Sequence, residues 1–165
     1  MLALAIVLTV HVAAGDSGPI ADDAWLDHEV ATATERLDGV DFTRSAGSID
    51  GMPDAIATVN DRDALATLAA DDGTVHVFVV ERVADKDKDG VIGGVTWEHG
   101  RRRYIIVSHH DAREDTLAHE LGHFFGLSHT DDPHDLMTPA REPGGTLTDA
   151  QRTIVRRHVA SFTRR

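Results

Sequence analysis

Apolar residues fall along the chain in two rhythms, one of period two and one of period near four, and together they divide it into strands and helices. Ala5 to Ala13 is rich in Ile and Val with Thr9 and His11 at alternate positions, which predicts a first strand. The cluster Gly15-Asp16-Ser17-Gly18-Pro19 ends it in a turn. Ile20, Ala24, Val30, Ala33 and Leu37 then recur at helical spacing, predicting a helix whose stripe covers one face of a sheet. Val40 to Thr43 reads as a short second strand, and Asp61 to Ala70 as a brief helix with Asp61 as its N-cap. Val75 to Val83, dense in Val and Phe, predicts an interior strand covered on both faces. A shorter, glycine-bearing strand over Gly90 to Trp97 and an apolar one over Arg103 to Ser108 follow. Leu117, Leu121 and Phe124 mark the buried stripe of a helix from Arg113 to Phe125. Thr148 and Gln151 have capping-box spacing at the start of a last helix reaching Phe162, with Ile154, Val155 and Val159 on its apolar side.

At 165 residues the chain fits one domain able to bury its own core. Met1 to Gly15 is apolar enough to pass for a secretory signal with Ala13-Ala14-Gly15 as cleavage site, but no positive charge leads it, and the strand reading is preferred. That segment is also too short to span a bilayer. The net charge is −12 and uneven: residues 1–99 hold 6 Lys/Arg against 19 Asp/Glu, and the remainder 10 against 9. This balance argues against nucleic acid as a partner, and the arginines at 101–103, 156–157 and 164–165 read as a solvated face among nearby acids. There is no cysteine, so no thiol of this chain can cap a metal.

Chemistry concentrates in residues 119–129, His-Glu-Leu-Gly-His-Phe-Phe-Gly-Leu-Ser-His. On a helix, residues four apart share a face, so His119 and His123 can both present ring nitrogens to one ion with Glu120 beside them. Gly126 allows a left-handed bend at the helix end that swings His129 back as a third ligand. Two histidines four apart are commonplace, but Gly126 and His129 at these offsets make the extended zinc pattern. A structural zinc site would close all four positions, whereas this motif supplies three and leaves room for water. Glu120 is then the general base and acid of a hydrolysis.

This run resembles the zinc signature of the metzincin metalloproteases. Asp135-Leu136-Met137-Thr138-Pro139 resembles their Met-turn, with Leu-Met-x-Pro closest to the matrixin version, and Leu147-Thr148-Asp149-Ala150-Gln151 resembles the start of their C-terminal helix. The resemblance implies a metzincin-like α+β fold: a twisted mixed sheet, a long packing helix, an active-site helix and a C-terminal helix. It implies subdomains of about 1–126 and 127–165 around one catalytic zinc, with peptide or protein substrates and secretion. It also implies that Met137 forms an apolar floor beneath the ligands and that residues after it, Pro139 to Pro143 among them, wall the main specificity pocket. Thr138 stands where several relatives carry a tyrosine, so no tyrosine role is carried over.

An extended peptide is best held by an exposed sheet edge, and Ile92 to Trp97, with Ile92, Gly93, Gly94 and Val95 as binding residues, is the candidate. Asp85-Lys86-Asp87-Lys88-Asp89-Gly90 matches the opening half of a calcium loop through Asp85, Asp87 and Asp89. Thr96 stands where that loop needs a glutamate, so a solvated acidic turn competes with calcium and is preferred. Two other functions stay open at this stage: a non-catalytic zinc-containing binding module, and a zinc hydrolase of a non-peptide amide or ester. A monomer is expected.

Overall fold

The computed structural model describes residues 4–139 and 144–164. The first strand, β1 (Leu4–Val12), is followed by a small antiparallel pair, β2 (Ala14–Gly15) and β3 (Gly18–Pro19), and by helix α1 (Asp23–Arg36). Then come β4 (Val40–Ala46), the short helix α2 (Val59–Ala64) with a 3-10 turn at Leu65–Thr67, and β5 (Val75–Val80). The strands β6 (Val83–Ala84), β7 (Val91–Ile92), β8 (Gly94–His99) and β9 (Arg102–Ser108) precede helices α3 (Thr116–Phe124) and α4 (Asp149–Phe162).

Five strands form the main sheet in the order β4-β1-β5-β9-β8. Four run parallel, and β8 is an antiparallel edge, with Gly94 opposite Val107 and Trp97 opposite Tyr104. β1 is paired on both sides, so the alternation of Thr9 and His11 does mark a strand. β5 is buried along its whole length, as its Val-Phe run predicts. One sheet face packs α1, α3 and α4 through Leu8, Val10, Leu26, Leu121 and Val159. The other is covered by α2 and its flanking turns through Phe78, Ile106, Leu65 and Ile56. Residues from both sides of Gly126, such as Leu121 and Met137, share the first of these cores.

Several expectations shift. The N-cap of α2 is Thr58, and Asp61 is the third helical residue of its capping box, because the carboxylate accepts the Thr58 N–H at 2.8 Å while the Thr58 hydroxyl accepts the Asp61 N–H. The interior strand stops at Val80, and Val83 belongs to β6, paired with Ile92 around the acidic loop. The glycine-bearing strand is broken at Gly93 into β7 and β8. α1 begins at Asp23, with Asp22 accepting from the Trp25 N–H at 2.8 Å, and its buried stripe is Leu26, Glu29, Ala33 and the following Leu37, leaving Ala24 exposed.

Glu29 is the unexpected member of that stripe. It is 3% exposed, and one carboxyl oxygen has no hydrogen-bond partner. Burial pushes its pKa up to about 8; the Leu117 N–H at the start of α3 opposes the shift, and nearby Asp115 and Glu114 add to it. The folded chain therefore keeps a proton that the unfolded chain releases near its ordinary value of 4.5. The stability this neutral carboxyl contributes is present below that value and is lost as pH rises toward 8, at no more than about 1.4 kcal/mol per pH unit. Glu29→Gln should match the wild type near pH 4.5 and exceed its Tm at pH 8, measured by circular dichroism with metal chelated in both proteins. An unchanged pH slope in the variant would contradict the buried neutral acid.

Candidate active site

α3 ends in a turn that only a glycine makes easily. The Leu127 N–H donates to the Gly122 carbonyl at 2.9 Å and the Gly126 N–H to that of His123 at 3.0 Å, the paired bonds of a Schellman cap, with Gly126 at φ +92°. This turn carries the chain back toward the helix, and it does two things for the histidines. It brings His129 within reach, and it points the Leu127 carbonyl at His123 Nδ1, 2.9 Å away.

The Leu136 carbonyl lies 2.7 Å from His119 Nδ1 in the same way. A carbonyl can only accept, so each Nδ1 carries a proton and each Nε2 is the nitrogen turned toward the cleft. The Nε2 atoms converge: His123 Nε2 is 3.2 Å from His119 Nε2 and 3.0 Å from His129 Nε2. Nitrogens at about 2.0–2.1 Å from a tetrahedral zinc stand roughly 3.3 Å apart, close to the spacings seen, so the donor set fits the ion. Among the described residues this is the group of three or more metal-capable side chains with ligand atoms within 4.8 Å of one another.

The Leu136 carbonyl is itself held in place. Buried Asp135 accepts the Met137 N–H at 2.7 Å with one oxygen and the Gln151 side-chain amide at 2.8 Å with the other. The Leu136 N–H donates to the Thr146 carbonyl at 3.0 Å. Gln151 is also the capping-box residue of α4, its Oε1 accepting the Thr148 N–H at 2.7 Å. Met137 is fully buried, with its sulfur 2.5 Å from where a Cβ on Gly122 would stand, so the bare helix face at Gly122 is what admits it. Asp135 and Gly122 carry no signal in the sequence beyond membership of the two motifs.

Glu120 is 5% exposed and lies against the edge strand. Thr96 of β8 directs its hydroxyl at Glu120, 3.0 Å from Oε2 and 2.8 Å from the backbone carbonyl. Two residues earlier on the same face, a Cβ on Gly94 would sit 3.0 Å from Glu120 Cγ and 2.8 Å from Thr116 Cγ2. In the sequence Thr96 stands within the candidate edge and at the missing calcium-ligand position; its period-two relation to Gly94 is the signal for this contact.

A cleft of about 1010 Å³ joins the parts, lined by His119, Glu120, His123 and His129, by β8 and by the loop at Asp85. Gly93, Gly94, Val95 and Ile92 all line it, although Ile92 belongs to β7 and Gly93 sits between strands, its carbonyl accepting the Ser108 N–H at 2.8 Å. Pro139 lines it too, while residues 140–143 of the expected pocket wall lie outside those described. Asp85, Asp87 and Asp89 do not form such a three-ligand group: the Asp85 carboxylate accepts the Asp87 N–H at 2.9 Å, and Lys86 pairs with Asp87 at 2.6 Å.

No curated protein matches this chain in sequence. Among solved structures it is similar to the archaemetzincin of Methanopyrus kandleri, with a TM-score of 0.64 and 15% identity over 94% of this chain and 96% of that one. It is also similar to metalloproteinase-II of Bacteroides fragilis, with a TM-score of 0.63 and 16% identity over 95% of this chain but 53% of the other. A zinc-dependent peptidase of Methanocorpusculum labreanum aligns with a TM-score of 0.54 and 15% identity over 88% of this chain and 99% of that one. At such identities these likenesses speak for the fold. The Matrixin family model matches residues 22–151, from the N-cap of α1 to the capping box of α4, and the chain thus belongs to the matrixin family of zinc metallopeptidases.

Proposed function

We propose that this chain is an endopeptidase in which His119, His123 and His129 hold one catalytic zinc and Glu120 moves the proton. The observation that carries this reading is the convergence of three imidazole Nε2 atoms in the cleft that also contains a buried carboxylate and an open sheet edge. Zinc bound there supplies a Lewis acid that polarises a carbonyl and makes a water molecule far more acidic. Glu120 accepts the proton of the attacking water and delivers it to the departing amine. Thr96 orients that carboxylate through its hydroxyl, and Gly94 lets the helix and strand close to the distance this bond needs. The free side of β8 offers backbone N–H and C=O groups to an extended substrate, aligning the scissile bond beside Glu120. Met137 supports the ligands from below as a compact, polarizable side chain.

A mixed peptide library digested with and without a chelator, with products read by mass spectrometry, tests the reading. Chelator-sensitive internal cleavage is expected; stoichiometric zinc without any cleavage would make the chain a binding module instead. Glu120→Gln should retain zinc by elemental analysis while turnover falls at least about 10²- to 10⁴-fold. Thr96→Val should lower kcat roughly 10- to 100-fold with zinc retained, since a hydrogen bond to a charged group is worth about 1.5–3 kcal/mol. Gly122→Ala, which drives a methyl into the Met137 sulfur, should cost about 1–3 kcal/mol of stability in a denaturant titration.

A further inference from the structure

At the end of α3 lies a second cavity, of about 1030 Å³, which the peptidase reading leaves unused. Its floor is aromatic: Phe124 and Phe125 at the end of α3 and Phe162 of α4 meet edge to face with centroids 5.2, 5.8 and 6.1 Å apart. Its rim carries Arg101 from the turn between β8 and β9 and Arg102 and Arg103 from the start of β9, with Arg157 and His158 from α4. Two arginine clusters that are distant in sequence are thus brought to one opening.

The acids at this rim are already engaged. Glu98 pairs with Arg103, Asp71 lies 3.8 Å from Arg102, and Asp72 accepts the Thr74 hydroxyl and faces His76. Arg101 and Arg157 have no acidic partner among the described residues. In a chain of net charge −12, unpaired guanidinium groups over a phenylalanine floor suit carboxylates carried on an apolar body. Screening limits the reach of the rest of the chain's negative charge to a Debye length, about 8–10 Å, so a short acidic peptide seated here answers chiefly to the charges of this rim.

Two contacts connect the cavity wall to the zinc motif. Arg103 Nη1 donates to the Phe124 carbonyl at 2.9 Å, in the last turn of α3. The His158 ring fills the space beside Gly126, with Cε1 2.5 Å from where a Cβ would stand.

We propose that this cavity is an exosite for an acidic peptide segment, its carboxylates on Arg101 and Arg157 and an apolar side chain on the phenylalanine floor. What the exosite serves, the recruitment of acidic protein substrates to the cleft, rests on the peptidase reading; the binding itself does not. The test uses fluorescence anisotropy of a labelled Glu-Glu-Phe-Phe-Glu-Glu peptide with the zinc-loaded protein, repeated with zinc chelated so that carboxylate binding at the metal is removed. Probes for comparison are the Gln-Gln-Phe-Phe-Gln-Gln peptide and a single-stranded oligothymidylate. Saturable binding at least tenfold tighter than to the glutamine peptide is expected, kept after chelation and weakened by salt. It should be weakened at least tenfold in Arg101→Glu/Arg157→Glu and to an intermediate degree in Arg101→Gln/Arg157→Gln, with the Tm of both variants unchanged. Equal affinity for the glutamine peptide, tighter binding of the oligothymidylate, loss on chelation, or undiminished binding in the charge-reversed variant would overturn the proposal. Hydrolysis of short neutral peptides by the same variants should be unaffected. Failure of binding with hydrolysis intact removes the exosite alone, whereas binding without any hydrolysis by the wild type removes the peptidase reading alone.

Discussion

Two backbone carbonyls decide what the three imidazoles can do. The oxygens of Leu136 and Leu127 claim the Nδ1 protons of His119 and His123, and by doing so they turn both Nε2 atoms toward one point. Were those carbonyls elsewhere, the rings could rotate or shift tautomer and the same residues would hold an ion roughly 10- to 100-fold less tightly. Each carbonyl is fixed by a separate device. Leu127 is placed by the Schellman turn at Gly126, and Leu136 by Asp135 and Thr146. Since Asp135 also binds Gln151, the start of α4 is tied to the orientation of His119 through an unbroken chain of hydrogen bonds.

Close approach is the second constraint. Gly94, Gly122 and Gly126 each face an atom that a Cβ would meet at 3.0 Å or less: Glu120 and Thr116, the Met137 sulfur, and the His158 ring. These contacts lie on different sides of α3, so the active-site helix is gripped by the edge strand, the Met-turn and α4 together. The cleft and the arginine-rimmed cavity have Glu98 and Arg103 as common lining residues, and Arg103 also donates to the Phe124 carbonyl at the end of that helix.

Polar groups are buried where they have work to do or partners to satisfy them. Arg62 is 2% exposed, donates to the Ala84 carbonyl at 2.6 Å and lies over the Trp97 ring, which pins the base of the acidic loop to β8. His11 and His76 hydrogen-bond at 2.9 Å within the second core, His11 stacking on Phe78. Glu29 differs, since its cost is met by holding a proton, and it places a pH-sensitive group between α1 and the start of the active-site helix.

Local rules made much of this protein legible. Period-two alternation marked β1, an unbroken Val and Phe run marked β5, the capping box marked the start of α4, and the offsets of His119, His123, Gly126 and His129 marked the metal centre, because each depends on neighbours within a few residues. The break at Gly93, the transfer of Val83 to a second small sheet and the burial of Glu29 depend on which distant segment arrives opposite, and no local spacing records that. The same holds for Thr96 on Glu120 and for Arg157 at the same cavity as Arg101. The chain by itself determined which residues could bind a metal and where the turn between them falls, because helix periodicity and glycine's freedom are local properties. Only the tertiary structure decided which nitrogen of His119 and of His123 faces the cleft, which strand holds the carboxylate and where the arginines gather, because those follow from how separate segments meet in the fold.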